Sequence, residues 1–321
     1  MADGGEGTLE TIFSIYPESK MFKQEVHIFK DKLHLAYWCL LEDGTAIVEL
    51  ANSCGLMYMD NLYPLEANTF AFGELLKSAA KNPNVKRIVA CVGGSASTDG
   101  GVGALIALGA KFLDKSGKII SMGGGGLLEL DKIDSSKIVD RPAGGVLCLV
   151  DVNNLLLGPN GSATVYGPQK GANDSDILLL KDALHKFHEV VGKEDFNGAG
   201  AAGGTPYGLK WLWGATLASG SETVAQLVGL ADAIENCDVV ITGEGKFDQQ
   251  SRYGKVVGKV LEIARVKNKK VMLCVGQTTI NMKEENLIGV VLGHISGSAK
   301  TSMADPIKWI EQAGIELARN A

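Results

Sequence analysis

The sequence predicts an α/β protein of two domains, and three observations support that prediction. Short apolar runs rich in Val and Ile end abruptly in glycine or an acid, as strands buried on both faces of a sheet do. Between them lie stretches whose apolar residues recur every three or four positions, which is typical of amphipathic helices. With 321 residues, 45% of them hydrophobic, the chain is long enough for its core to divide in two.

The predicted strands are the apolar runs at residues 88–92, 146–150, 239–241, 271–275 and 287–292. Because these runs are polar only at their ends, we expect a sheet that is at least partly parallel. Between about residues 25 and 50 the pattern changes to two strand-like pieces, 26–29 and 46–50, around an Asp43-Gly44 turn. This change indicates the start of an inserted, β-rich domain.

Three helices are predicted with the strands. The first follows the cap candidates Asp174 and Ser175, because apolar residues then recur at helical spacing. The second lies at residues 256–264, and the third opens with Pro306 in its first turn. The residues of the third helix predicted to face inward are Ile307, Ile310, Ala313 and Leu317. From about residue 237 onward strand and helix alternate, as in a doubly wound unit.

Composition excludes several classes of function. A net charge of -6 gives no basic footprint for nucleic acid, and no Lys/Arg run suits an anionic membrane surface. The six cysteines are scattered without a CxxC pair, which favours reduced thiols over disulfides or zinc. No apolar run approaches the ~18 residues of a membrane span. We expect a cytoplasmic protein that binds a small molecule, with neither nucleic acid nor membrane as partner.

A glycine-rich segment at residues 93–101 joins a predicted strand to a helix that begins near Val102. Its amides and hydroxyls would face an anion at a helix N-terminus. The candidate binding residues in it are Gly93, Gly94, Ser95, Ser97 and Thr98. The alternative is a glycine-rich turn in which Asp99 only caps a helix.

Acidic residues follow other predicted strands. Asp151, with Asn153 and Asn154, comes directly after the strand at 146–150, and ligands of open α/β sheets bind beyond such strand ends. A carboxylate there suits a general base or a Mg²⁺ ligand, although a lone Asp could equally form an Asx turn. Glu244 and Asp248 follow a third strand. Three acidic strand ends together favour a site.

Other motifs carry less weight. No Walker sequence is present, and the GxGxxG match at residues 198–203 follows polar residues where a dinucleotide fold needs a strand. Lys170 could reach a phosphate or be an exposed loop lysine. His185 and His188 lack a third metal ligand. The aromatic residues Tyr207, Trp211 and Trp213 could stack a base, but they are more typical of a core.

Taken together, these segments resemble the class I glycerate kinase family. The similar blocks are residues 93–114, 151–172, 198–204, 219–222 and 241–248, and they follow the family's order over nearly the whole chain. The resemblance implies transfer of the γ-phosphoryl group of MgATP to D-glycerate. It favours 2-phosphoglycerate as the product over 3-phosphoglycerate, and it leaves a homo-oligomer open.

The resemblance also implies a fold and residue roles. The fold would be a Rossmann-like (flavodoxin-like) parallel-sheet domain, residues 1–22 and 225–321, interrupted by an inserted mixed α/β domain at 23–224. We expect Asp151 to take the substrate hydroxyl proton, with Asp99 as the alternative. Glu244 and Asp248 would bind Mg²⁺. The residues expected to bind substrate or phosphate are Gly93, Gly94, Ser95, Ser97, Thr98, Asn153, Asn154 and Lys170, with Asp3 and Glu6 as further cleft candidates.

The chain departs from the family pattern at Leu155, at Ala71-Phe72 and at Ser97-Thr98. In the family, residues 1–8 form an internal block, preceded by a buried strand and an Asp-Ser-Phe-Lys-Gly turn. Without that segment we expect either a start further upstream or a compromised form. Two rival functions follow: a catalytically silent, ligand-binding or regulatory family member, and a nucleotide-dependent oxidoreductase that rests on the GxGxxG match.

Overall fold

The computed structural model describes residues 2–28, 32–59, 61–252, 256–282 and 287–319. Contacts between residues divide the chain into two units. The larger unit is Ala2–Gly220 and the smaller unit is Ser221–Ala321.

The larger unit is built on a mixed sheet. The strands of this unit are β1 (Lys20–Ile28), β2 (Lys32–Leu40), β3 (Thr45–Glu49), β4 (Arg87–Cys91), β5 (Lys111–Leu113), β6 (Lys132–Asp134), β7 (Val146–Leu149) and β8 (Thr216–Ala218). The sheet has the order β1-β2-β3-β4-β7-β8, and β5 pairs with β6 separately. Strands β3, β4, β7 and β8 run parallel, whereas β1, β2 and β3 pair antiparallel. The partly parallel sheet predicted from the apolar runs is confirmed.

The parallel strands are buried because their sequences are continuously apolar. Every residue of β3 is buried, and so is every residue of β4 after Arg87. The strands predicted at residues 88–92 and 146–150 are confirmed as β4 and β7. The carboxyl ends of these strands therefore open on the same edge of the sheet.

The predicted strand pieces at 26–29 and 46–50 are parts of β1 and β3, with Phe29 outside the described residues. The Asp43-Gly44 turn is confirmed, since Asp43 Oδ1 accepts the Thr45 amide at 2.8 Å and Gly44 has a φ of 89°. The turn joins β3 to β2, a strand the sequence did not predict. Its first half is largely exposed, whereas its second half, Ala36–Leu40, is apolar and largely buried, so only part of β2 has the apolar run of a central strand.

Helices cover the larger unit's sheet. Their bounds are α1 (Thr8–Ile15), α2 (Ala51–Cys54), α3 (Phe70–Lys81), α4 (Val102–Leu108), α5 (Ser162–Tyr166), α6 (Asp174–Val191) and α7 (Thr205–Trp213). The helix predicted after residue 174 is confirmed as α6. Its N-cap is Asn173, not the predicted Asp174 or Ser175, because Asn173 and Asp176 exchange a capping box.

The core of the larger unit lies between the sheet and helices such as α3, α4 and α6. The buried rings of Phe112, Phe187 and Tyr207 are in contact there. Tyr207 and Trp213 belong to this core, and the Tyr207 hydroxyl donates to the Lys193 carbonyl at 2.9 Å. The aromatic cluster is thus a packing element.

The smaller unit alternates helix and strand. It contains α8 (from Gly220 to Leu227), α9 (Leu230–Glu235), β9 (Val239–Phe247), α10 (Val256–Val266), β10 (Lys270–Thr278), β11 (Ile288–Val291), α11 (Leu292–Ile295), α12 (Ala299–Ala304) and α13 (Pro306–Arg319). The parallel strands have the order β11-β10-β9. The strands predicted at residues 239–241, 271–275 and 287–292 and the helix at 256–264 are therefore confirmed.

Helix α13 begins at the predicted Pro306, but its inward face differs from the prediction. Ala313 and Leu317 are buried, whereas Ile307 and Ile310 are 72% and 53% exposed. The side chain that extends the buried stripe toward the N-terminus is Trp309, four residues before Ala313. The predicted inward positions of Ile307 and Ile310 are wrong.

The α/β class is confirmed, and the chain passes from the larger to the smaller unit between Gly220 and Ser221. Residues 2–22 pack in the larger unit, where Leu9 and Ile12 of α1 are buried. Packing alone does not assign a domain, so the discontinuous Rossmann-like domain of residues 1–22 and 225–321 stays a prediction. In the described ranges no helix combines the length and apolarity needed to cross a membrane.

Candidate functional site

A cavity of about 480 Å³ lies within the larger unit, at the carboxyl ends of β4 and β7. Residues 3–6, 92–95 and 149–152 line it, together with Tyr166, Gln169 and Lys170. Open α/β sheets bind ligands at this edge. Of the predicted site residues, the cavity wall brings together Asp3, Glu6, Gly93, Gly94, Ser95, Asp151 and Lys170.

The glycine turn after β4 allows the chain to approach the N-terminal wall of the cavity. The Gly93 amide donates to the Gly4 carbonyl at 3.1 Å. A Cβ atom on Gly93 would lie 2.6 Å from the Gly5 Cα atom, a distance that real structures avoid. A side chain at position 93 would therefore push the two walls apart.

Lys170 places a buried ammonium group in this cavity. Its side chain is 3% exposed, and its Nζ atom donates to Ser95 Oγ at 2.9 Å and to the Ser97 carbonyl. Burial lowers the pKa of Lys170 to about 8, and the negative charge of Asp99 partly opposes that shift. Lys170 is therefore not an exposed loop lysine. With a pKa of about 8, its ammonium group is mostly protonated at neutral pH.

Asp151 lies two residues after the end of β7 and lines the cavity. Its Oδ1 atom accepts hydrogen bonds from the Ser219 hydroxyl and the Gly220 amide, both at 2.8 Å. These two donors fix the orientation of a half-buried carboxylate. The arrangement holds Asp151 ready to accept a proton or to bind a cation.

Asp99 is placed quite differently. Its buried carboxylate accepts hydrogen bonds from the Thr69 amide and hydroxyl at 2.8 Å, the Gly103 amide at 3.0 Å and the Gly101 amide at 3.2 Å. Asp99 thereby ties together the N-termini of α3 and α4, and it lies outside the residues that line the cavity. The capping alternative weighed for Asp99 fits this geometry.

The remaining predicted binding residues are not in the cavity wall. Ser97 and Thr98 are buried, and their hydroxyls have no hydrogen-bond partner among the described residues. Asn153 is exposed. Asn154 accepts from the Tyr166 hydroxyl at 2.7 Å and donates to the Asn160 carbonyl at 2.8 Å, so it shapes the loop after β7.

Sequence reasoning missed Glu49, the last residue of β3. Its buried carboxylate accepts the Leu9 amide at 2.8 Å and the Gly7 amide at 3.3 Å. Burial raises the pKa of Glu49, the two amides lower it, and the nearby charge of Glu6 raises it further. The available signal was an acid closing the apolar run at residues 46–48.

The predicted magnesium ligands lie in the smaller unit. Glu244 is on β9, and its Oε1 atom is buried without a hydrogen-bond partner among the described residues. Asp248 follows β9, and its carboxylate lies 3.4 Å from the Lys246 ammonium group. Within the described part of the chain, no group of three or more His, Cys, Asp or Glu side chains converges as a metal site.

The GxGxxG segment does not follow a strand, because α6 and a polar loop precede it. Its glycines serve close packing: a Cβ atom on Gly200 or Gly203 would lie 2.1 Å from a backbone carbonyl oxygen. Ala202 in the same segment has a φ of 47°, which a side chain rarely adopts, and it lines the cavity. This context does not support the dinucleotide interpretation.

Comparisons with known proteins show which family this chain resembles in sequence and structure. Residues 1–321 match the model of the glycerate kinase family. The chain is 37% identical over 304 residues to glycerate 2-kinase of Escherichia coli K12, covering 92% of this chain and 78% of that one. It is 38% identical over 277 residues to a Halalkalibacterium halodurans glycerate kinase, covering 83% and 72%. A crystal structure of glycerate kinase 2 from Salmonella typhimurium LT2 matches with a TM-score of 0.77 and 31% identity, covering 100% and 88%.

Proposed function

The chain belongs to the glycerate kinase family, and from that premise we propose that it transfers the γ-phosphoryl group of ATP to D-glycerate. The product we propose is 2-phosphoglycerate rather than 3-phosphoglycerate. The observation that carries the proposal is one cavity at the ends of β4 and β7 with both an oriented carboxylate, Asp151, and a buried ammonium, Lys170. Phosphoryl transfer needs chiefly positioning and charge neutralisation, which these groups supply.

Asp151 is the proposed general base. It would accept the proton of the glycerate hydroxyl as that oxygen attacks the γ-phosphorus atom. The donors Ser219 and Gly220 hold its Oδ1 atom, which fixes the direction in which the carboxylate meets the substrate. The geometry favours Asp151 over Asp99, because the Asp99 carboxylate accepts four hydrogen bonds away from the cavity wall.

Lys170 is proposed to bind the glycerate carboxylate. An ammonium ion held by Ser95 Oγ and the Ser97 carbonyl has lost most of its hydration, so an anionic oxygen gains more from it than from an exposed lysine. The glycine turn at Gly93-Gly94 leaves room for a small acid beside it.

ATP and Mg²⁺ suit the charge of this cavity. Asp3, Glu6 and Asp151 line it opposite a single lysine, and two anionic substrates require a cation there. Mg²⁺ is usually bound by one or two carboxylates together with phosphate oxygens. Asp3 and Glu6, the other two acids of the cavity wall, would hold it, while the predicted ligands Glu244 and Asp248 remain a second proposal. When bound, Mg²⁺ supplies neutralisation of charge on the phosphoryl oxygens.

Lys170→Met is expected to lower kcat/KM for D-glycerate about 10²-fold, mainly through KM, because it removes a desolvated charge. In the unsubstituted protein, KM for D-glycerate should rise with pH through about 8, as Lys170 loses its proton. Initial rates measured from pH 6 to 10 check both results. Lys77→Met is the matched control, since Lys77 donates to the Ala107 carbonyl outside the cavity. If Lys170→Met had the same KM as the unsubstituted protein, Lys170 would not bind D-glycerate.

A coupled assay of ADP release tests the proposed activity. We expect ADP formation that requires D-glycerate and Mg²⁺ together and saturates with D-glycerate. Calorimetric binding of D-glycerate or ATP without turnover would instead support the catalytically silent alternative. The absence of both binding and turnover would refute the proposed function.

We also propose the cytoplasm as the location. All six cysteines are free thiols, which is typical of a reducing compartment. The proposed partners are D-glycerate and ATP.

A further inference from the structure

The N-terminal wall of the cavity, residues 3–6, precedes α1 and has no strand or helix of its own. Its position therefore depends on a few contacts. One is the hydrogen bond from the Gly93 amide at the end of β4 to the Gly4 carbonyl, 3.1 Å long. Residues 3 and 4 also lie close to Gly220 and Leu149. A further attachment lies just after the wall, where α1 begins.

Helix α1 lacks an N-cap side chain, because its N-cap residue is Gly7. Glu49 supplies the missing acceptor from β3, some forty residues along the chain. Its carboxylate accepts the Gly7 and Leu9 amides and places a negative charge at the positive end of the helix. Glu49 is 4% exposed, so this contact is made out of water.

The backbone of Glu49 is held in place by the sheet. Strand β3 lies between β2 and β4 in the sheet, and Glu49 pairs with Cys91 in the parallel ladder. The Glu49 side chain thus hydrogen-bonds the first turn of α1 to the central sheet, in addition to the packing of the buried Leu9 and Ile12. Thr8 continues the connection, since its hydroxyl donates to the Gly5 carbonyl at 2.7 Å.

We propose that Glu49 is a positioning residue that sets the place of Asp3 and Glu6 in the cavity wall through the Gly7 and Leu9 amides. This proposal rests on the proposed kinase function. Glu49 does not line the cavity, so it acts on substrate only through that wall.

Glu49→Gln tests the proposal with little change in volume. A glutamine keeps one acceptor oxygen but turns an NH₂ group toward the second amide, so one of the two contacts is lost. We expect KM for D-glycerate to rise about tenfold, because small displacements of a site wall have effects of this size. A merely destabilised protein would show a lower apparent kcat with an unchanged KM.

Glu74→Gln is the matched control. The Glu74 carboxylate also accepts a backbone amide from a distant strand, that of His27 at 2.7 Å, and it lies outside this cavity. We expect it to leave KM unchanged. An unchanged KM in Glu49→Gln as well would overturn the positioning role.

Amide hydrogen exchange provides a second measurement that does not depend on activity. Glu49→Gln should accelerate exchange at Gly7 and Leu9 about tenfold or more, whereas Glu74→Gln should accelerate it at His27. Unchanged exchange at Gly7 and Leu9 would overturn the proposal. If the unsubstituted protein has no kinase activity, the proposed function fails and exchange still decides whether Glu49 holds the wall.

Discussion

Asp151→Asn is expected to lower kcat about 10³-fold while the protein stays folded. The asparagine can still accept the Ser219 and Gly220 hydrogen bonds through its amide oxygen, so the loop after β7 keeps its shape. Its neutral amide cannot take the proton of the substrate hydroxyl. Losses of 10²–10⁴-fold are typical when a general base is removed. Steady-state kinetics with D-glycerate and ATP measure the effect.

Asp114→Asn is the control for that experiment. Asp114 accepts from the hydroxyl and the amide of Ser116 at 2.7 and 2.8 Å, which reproduces the bonding of Asp151 on an exposed turn. The kcat of Asp114→Asn should equal that of the unsubstituted protein. If Asp151→Asn kept kcat within tenfold, Asp151 would not be the base.

Asp99→Asn is expected to lower the free energy of unfolding of the protein. Four donors point at the buried Asp99 carboxylate, and an asparagine NH₂ group would face at least one of them. A buried donor left without an acceptor costs about 1–3 kcal/mol, and the remaining hydrogen bonds weaken because their acceptor loses its charge, so we expect a loss of about 3–4 kcal/mol. For a unit of this size that corresponds to a fall in Tm of roughly 10 °C.

Thermal unfolding followed by circular dichroism checks this result, with Asp195→Asn for comparison. Asp195 accepts the Leu156 and Leu157 amides at 3.0 and 3.1 Å in a half-buried setting, so its loss should cost less. An unchanged Tm for Asp99→Asn together with abolished turnover would reverse the roles proposed for Asp99 and Asp151.

The parts of the fold that local pattern determines were predictable. Continuous apolar runs predicted β4, β7 and β10, because strands buried on both faces need such runs. Strand β2 was missed although its second half, Ala36–Leu40, is an apolar run; only its exposed first half lacks such a signal. The inward face of α13 was predicted correctly at Ala313 and Leu317 but wrongly at Ile307 and Ile310, because spacing alone allows more than one stripe and Trp309 packs inward instead.

The candidate site shows the same division. The acid Asp151 was predictable from its position after a strand, and the cavity now surrounds it. Local pattern offered helix capping for Asp99 only as an alternative to a catalytic role, and it did not reveal the Thr69 partner thirty residues away. The contacts of Glu49 could not be predicted for the same reason, because the amides that donate to it belong to the start of a helix about forty residues earlier. Contacts made in the folded chain, rather than residue type, determine which acids line the cavity and which accept structural hydrogen bonds.

Phosphorus NMR of a complete reaction tests the central claim most directly. The purified chain is incubated with ATP, Mg²⁺ and D-glycerate, and the spectrum is compared with authentic 2-phosphoglycerate and 3-phosphoglycerate. We predict loss of the ATP γ-phosphorus signal and growth of the 2-phosphoglycerate signal in equal amount. A spectrum in which ATP persists, or yields only inorganic phosphate, would contradict glycerate phosphorylation by this protein.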